Sequence, residues 1–254
     1  MTTAVAPTVT PALGNRLSAV VRLHLTNKWT VIYLPWLIML AILVLNLAIW
    51  AIVLGAADPA DHDKVRQGLG YSGAASYMFV YMMVVAVQAI SVTFRFAQGY
   101  SVTRRDYYLG TALTFIGFSV MYAVGLSILA GIEELTDGWG LGGALFTSSL
   151  FGDGGWGARA FVFLVLSLFF FFVGAVVAAI WVRWRAIGLT TFFVALAFAL
   201  VGIAALIVLT DSWIAVGEWF VATGALGVYA WTLVPTTIAA IGGYLVLRRA
   251  TPQG

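Results

Sequence analysis

The chain has 254 residues, 62% of them hydrophobic and 9% charged, where an average soluble domain runs roughly 45–50% and about 25%. A soluble fold of this length could not hide so much apolar surface, and the composition equally excludes disorder, collagen and coiled coil, which leaves a polytopic membrane protein. With no cysteine there is no disulfide, thiolate metal site or thiol nucleophile, and the net charge of +3 has a topological cause set out below rather than marking a nucleic-acid partner.

Residues 1–12 lack the basic start and apolar centre of a signal peptide and read as a flexible tail. Over residues 13–29 the pattern becomes amphipathic. Leu13, Leu17, Val20 and Val21 fall on one helical face, and Asn15, Ser18, Arg22 and Thr26 on the other. This predicts a helix lying on the cytoplasmic surface, either a specific connecting element or a generic interfacial anchor.

Six uncharged apolar stretches follow, at about 31–55, 74–94, 108–132, 160–182, 187–209 and 225–247. A hydrocarbon core about 30 Å thick needs about 20 apolar residues of helix, whereas barrel strands alternate and run only about 9–11 residues. The expected fold class is therefore all-α, a single transmembrane domain of six helices over 1–254. Between the second and third spans runs a cytoplasmic link of about 13 residues. On the opposite side, 58–73 is a polar loop and 133–157 a longer Gly-rich one carrying Trp139 and Trp156. Residues 211–224 are mostly apolar yet hold Asp211, Glu218, Trp213 and Trp219, which suits a short hairpin dipping into the outer leaflet or an interfacial loop. Phe169 to Phe172 read as lipid-facing or packing residues, and Gly174 and Ala178 as a small pair that permits close helix contact. Pro235 cannot donate to the Trp231 carbonyl and predicts a kink in the sixth span.

Charge placement gives the orientation. One side holds Arg16, Arg22, Lys28, Arg95, Arg104, Arg105, Arg183, Arg185, Arg248 and Arg249, ten of the thirteen cations, with Asp106 as the one acid. The other side holds Lys64, Arg66 and Arg159 among nine acids. By the positive-inside rule both termini are cytoplasmic and the number of spans is even.

No Asp, Glu or His lies near the middle of a span, which counts against a proton relay. Asn46 and Gln88 are the amides at depth, and they either join helices or touch a substrate. His24 and His62 are too few and too far apart for a metal site, and phosphate-binding, zinc-protease and nucleophile-elbow motifs are absent. The chain is not expected to be an enzyme by itself, and no cofactor is expected on it.

The link between the second and third spans carries Ala97, Gly99, Thr103, Arg104, Arg105, Asp106, Tyr107, Tyr108 and Gly110. Thr103 can cap a short helix, with Asp106 three residues on. This stretch resembles the coupling helix of bacterial ABC transporter permeases of the small six-span type-2 family. The resemblance implies that Thr103, Arg104, Arg105, Asp106, Tyr107 and Tyr108 dock on a separate ABC-type ATPase that binds ATP and magnesium. It implies that the segment with Arg16, Arg22 and Lys28 is a connecting helix, that a second permease chain completes a central path, and that Asn46 and Gln88 border it. The implied function is export of an amphipathic or hydrophobic substrate, such as a lipid, peptide antibiotic or drug, across a bacterial cytoplasmic membrane. The alternatives are a substrate-capture component of an uptake system and a non-transporting scaffold or immunity protein.

Overall fold

The computed structural model describes residues 13–99 and 102–250, so the expected tail at 1–12 lies outside the described residues. Among the described residues the chain is all helical, with no strand. Helix α1 is Leu13–His24. A π-turn, Trp29–Tyr33, leads without a break into α2, Leu34–Ala56, and Pro35 near its start has no N–H to give to the carbonyls of that turn. The short α3, His62–Leu69, precedes α4, Tyr77–Gly99. Then come α5, Arg104–Leu135, α6, Trp156–Leu209, α7, Trp213–Trp231, and α8, Leu233–Leu247.

Among the described residues, five helical stretches are long and apolar enough to cross a membrane: Trp29–Ala56, Pro59–Gly99, Arg104–Leu135, Trp156–Leu209 and Trp213–Leu247. The fourth holds both the fourth and fifth expected spans. At 54 residues it is about 80 Å long at 1.5 Å per residue, well over twice a bilayer core. It is not one straight rod, because Arg185 sits at φ 58°, ψ −146° and breaks it beside the Arg183 to Arg185 cations. Gly224 (φ 66°) breaks α7 in the same way. The helix also stops at Thr232, three residues before Pro235, as the missing proline N–H requires.

The first half of α6 is the centre of the bundle. It packs against α4, α5 and α8, and every buried residue of α6 lies between Arg159 and Val182. Phe171 stacks on Phe115 with ring centres 5.0 Å apart and lies against Phe118, so the phenylalanine run is packing where it faces α5. A Cβ on Gly174 would come within 2.6 Å of the Met83 carbonyl oxygen, so α6 and α4 touch backbone to backbone there. Trp36 of α2 lies over Gly125 of α5 just as closely. After Val182 no residue of α6 is buried, and none of α7 is.

One buried carboxylate shapes the acidic end. Glu133, 1% exposed near the end of α5, accepts from the backbone N–H groups of Leu145, Phe146 and Thr147 at 2.8–3.1 Å. The Thr147 hydroxyl and the Trp139 indole N–H donate to it as well. Five donors solvate a charge that burial would otherwise penalise. Trp139, Gly138, Gly140 and Gly142 all take positive φ to bring the loop round, and Gly138 has its own chain, the Gly143 backbone, within 2.5 Å of where a Cβ would stand. Phe146 is then fully buried and lines a cavity between α2 and α5. Glu133→Ala leaves those donors without an acceptor and is expected to cost about 3 kcal/mol or more. Thermal unfolding in detergent and faster proteolytic nicking between 138 and 151 check this; Glu133→Gln, which keeps one acceptor, is expected to be milder.

Candidate functional site

The sequence signals converge on the cationic end of the bundle, where α1, the end of α4, the start of α5 and the end of α8 meet. Helices α4 and α5 run to Gly99 and from Arg104, so helix takes up most of the expected link of about 13 residues. Thr103 does cap a helix, accepting from the Asp106 N–H at 3.1 Å, but the helix is the 32-residue α5 itself.

The other residues of this stretch turn mostly inward. Asp106 is 4% exposed and bonds Arg16 of α1 at 2.8 Å. Its place in the first turn of α5 adds the favourable helix dipole. Tyr107 is fully buried and shares a 2.7 Å hydrogen bond with Thr93 of α4. The Tyr108 hydroxyl donates to the Ala240 carbonyl of α8. Arg104 donates to the Arg248 carbonyl at 3.0 Å, closing the end of α8. Thr103 and Arg105 remain exposed. A docking surface of Thr103 to Tyr108 is therefore not what the fold makes: Asp106, Tyr107 and Tyr108 are spent joining α1, α4 and α8 to α5.

Helix α1 is held by shape as well as charge. A Cβ on Gly110 would stand 2.6 Å from the Val20 Cβ, so the glycine is what lets α1 lie against α5. Of the expected apolar face, Val20 is buried, Leu17 and Val21 half-buried and Leu13 exposed; Arg22 and Lys28 are exposed as expected, and Arg16 is turned to Asp106. The residue that sequence reasoning missed is His24. Its side chain is buried beside Tyr107 and Phe115, and its Nε2 lies 2.8 Å from the Thr111 Oγ1. Because that hydroxyl donates to the Tyr107 carbonyl, Nε2 carries the hydrogen. The signal was its spacing, four residues after Val20 on the apolar face.

At mid-span, Asn46 donates to the Ile42 carbonyl of its own helix at 2.8 Å, and Gln88 is exposed on α4. The two amides are not brought together into one site by any hydrogen bond. No group of three or more His, Asp or Glu among the described residues could hold a metal ion.

Burial lowers the His24 pKa from 6.5 to about 4. Between those values the unfolded chain binds a proton that the folded chain does not, so stability is complete above about 6.5 and falls as pH drops toward 4. His24→Gln is expected to flatten that part of the stability–pH curve in detergent, measured as the difference in melting temperature from the unaltered chain.

The model of the SCAMP family (secretory carrier membrane protein) matches residues 6–190. No curated protein and no solved structure matches the chain. The matched region runs from before α1 to just past the break at Arg185, and so takes in the packed core. This is a family of membrane-trafficking proteins and not of enzymes. It overturns the ABC permease resemblance, and with it the exporter function, the ABC-type ATPase and the permease pair around a transport path. The short motif misled because a capped helix start beside cations serves an internal helix junction as well as it serves a docking loop.

Proposed function

Because the chain belongs to the SCAMP family, we propose that it is a non-catalytic component of membrane trafficking, working as one transmembrane unit over residues 1–254. The observation that carries this reading is the family match across the packed core, 6–190. The use of the polar groups at the cationic end agrees with it. They fasten helices to one another, as a scaffold in a membrane requires. The arginine-rich composition, eleven Arg to two Lys, suits a GC-rich genome and a bacterial cytoplasmic membrane as its location.

We further propose six crossings with both termini cytoplasmic and α1 on the cytoplasmic surface. Contacts support it. Tyr229 near the end of α7 bonds Leu150 at the acidic end, while Arg248 after α8 meets Arg104 at the cationic end. Helix α6 starts at the acidic end, where Trp156 donates to the Ser127 carbonyl and Arg159 pairs with Glu134, and its Val176 lies level with Gly243 of α8. Residues 186–209 then provide a further crossing back, and the side chains they leave exposed face lipid.

The chain has no cysteine, so single cysteines report topology cleanly. Arg22→Cys and Arg249→Cys are expected to react with an impermeant maleimide from the cytoplasmic side and Asp61→Cys from the other; opposite sides for positions 22 and 249 would mean an odd number of crossings. For the function, cells lacking the chain are expected to deliver newly made membrane protein to their surface more slowly, with recovery on re-expression. Delivery unchanged by its loss, measured by pulse labelling, would remove the trafficking reading.

A further inference from the structure

Two amides lie near the centres of membrane-length helices, and they are treated differently. Asn46, midway along α2, satisfies one donor on its own helix through the Ile42 carbonyl. Gln88, at the centre of α4, makes no hydrogen bond among the described residues and is exposed. In hydrocarbon there is no water to take its place, and an unpaired amide costs several kcal/mol by transfer scales. Its neighbours on the same row are Val80, Val84 and Val92, exposed by 47%, 42% and 69%. The row Val80, Val84, Gln88, Val92 advances by four residues each time and is thus one ridge of the helix. The opposite face of α4 is spent on the core, with Met82, Ala86, Ile90 and Phe94 buried to 1% or less.

We propose that this ridge is a lateral contact between two copies of the chain, crossing at Gln88. The occupant follows from the chemistry. A primary amide carries both a donor and an acceptor, so it is complementary to itself. Copies inserted with the same orientation are related by a two-fold axis along the membrane normal, which sets each residue of the crossing opposite its own counterpart. Two Gln88 side chains then satisfy each other, and the flanking valines, stiff at χ1, pack around them at little entropic cost. Ridges advancing by four on both helices cross at about −50°, so the contact is short and centred on Gln88. It joins whole bundles side by side and encloses no path. It rests on α4 crossing the membrane and not on the trafficking role.

The cysteine-free chain makes the test direct. Val84→Cys and Val92→Cys, each with Gln88 intact, are expected to form disulfide-linked dimers when membranes are oxidised with copper phenanthroline. Val80→Cys, farther from the crossing, is expected to link less, and Val124→Cys on α5, exposed but on another helix, not at all. Adding Gln88→Leu is expected to weaken association about 3- to 30-fold, the equivalent of about 0.6–2 kcal/mol for an interhelical hydrogen bond in a membrane. Gln88→Asn, which keeps the amide, is expected to restore most of the linkage. Gln88→Leu alters a lipid-facing position, and an unchanged melting temperature shows that the fold is intact. Absence of dimer at 84 and 92, dimer indifferent to Gln88→Leu, or linkage of position 84 to a different protein overturns the proposal.

Discussion

Hydrogen bonding without water is the constraint on which the arrangement of this chain depends. A helix satisfies its own backbone, but a side-chain hydroxyl, carboxylate or amide placed at depth is costly unless it finds a partner in the protein, and most of the buried ones do, Tyr77 and Ser91 being exceptions. Five buried hydroxyls solve this locally. Thr111, Thr114, Ser119, Ser127 and Ser167 each donate to the carbonyl four residues back. The tyrosines solve it across helices. Tyr81 and Tyr122 donate to the Thr30 and Val31 carbonyls in the π-turn that opens the first apolar helix. Thr30 and Val31 lie five and four residues before Pro35, which has no N–H to offer their carbonyls, and these are the ones the phenols take. The helix α2 is thus tied to α4 and α5 by its irregular start.

The two ends of the bundle apply the same constraint to charge. At the cationic end Asp106 is the one acid, and it is turned inward to Arg16, which docks α1 onto α5. Of the other cations, Arg104 closes the end of α8 through the Arg248 carbonyl and Arg183 lies over the Trp184 ring, while Arg22, Lys28 and Arg105 are exposed. At the acidic end Glu133 is wrapped by backbone and so decides the course of the loop from 136 to 151. Neither carboxylate is in a substrate pocket. Both act as anchors, one for a helix and one for a loop.

Membership of the SCAMP family concerns residues 6–190, and the core agrees with that extent, because burial along α6 stops at Val182. The chain beyond is not independent of it. Helix α8 returns to cover α5 and α6, with Leu247 and Ala250 fully buried and the Ala240 carbonyl bonded by Tyr108. The segment between, from the Arg185 break through α7, meets the core near Tyr229 and Ala225, at the loop holding Leu150 and Gly152.

Composition by itself determined the class: long apolar runs must be helices in a membrane. The apolar stretches, the cap at Thr103, the break near Pro235 and the close approach at Gly174 were legible because each follows from local covalent geometry. The roles of Asp106, Tyr107 and Tyr108 were not, because a polar residue beside a span looks the same in sequence whether it faces a partner or a neighbouring helix. Only the tertiary structure decided that they face inward, that His24 and Glu133 are buried anchors, and that Gln88 alone of the two mid-span amides is left open. Each of those facts depends on what packs opposite, and a pattern along one chain carries no information about distance across the bundle.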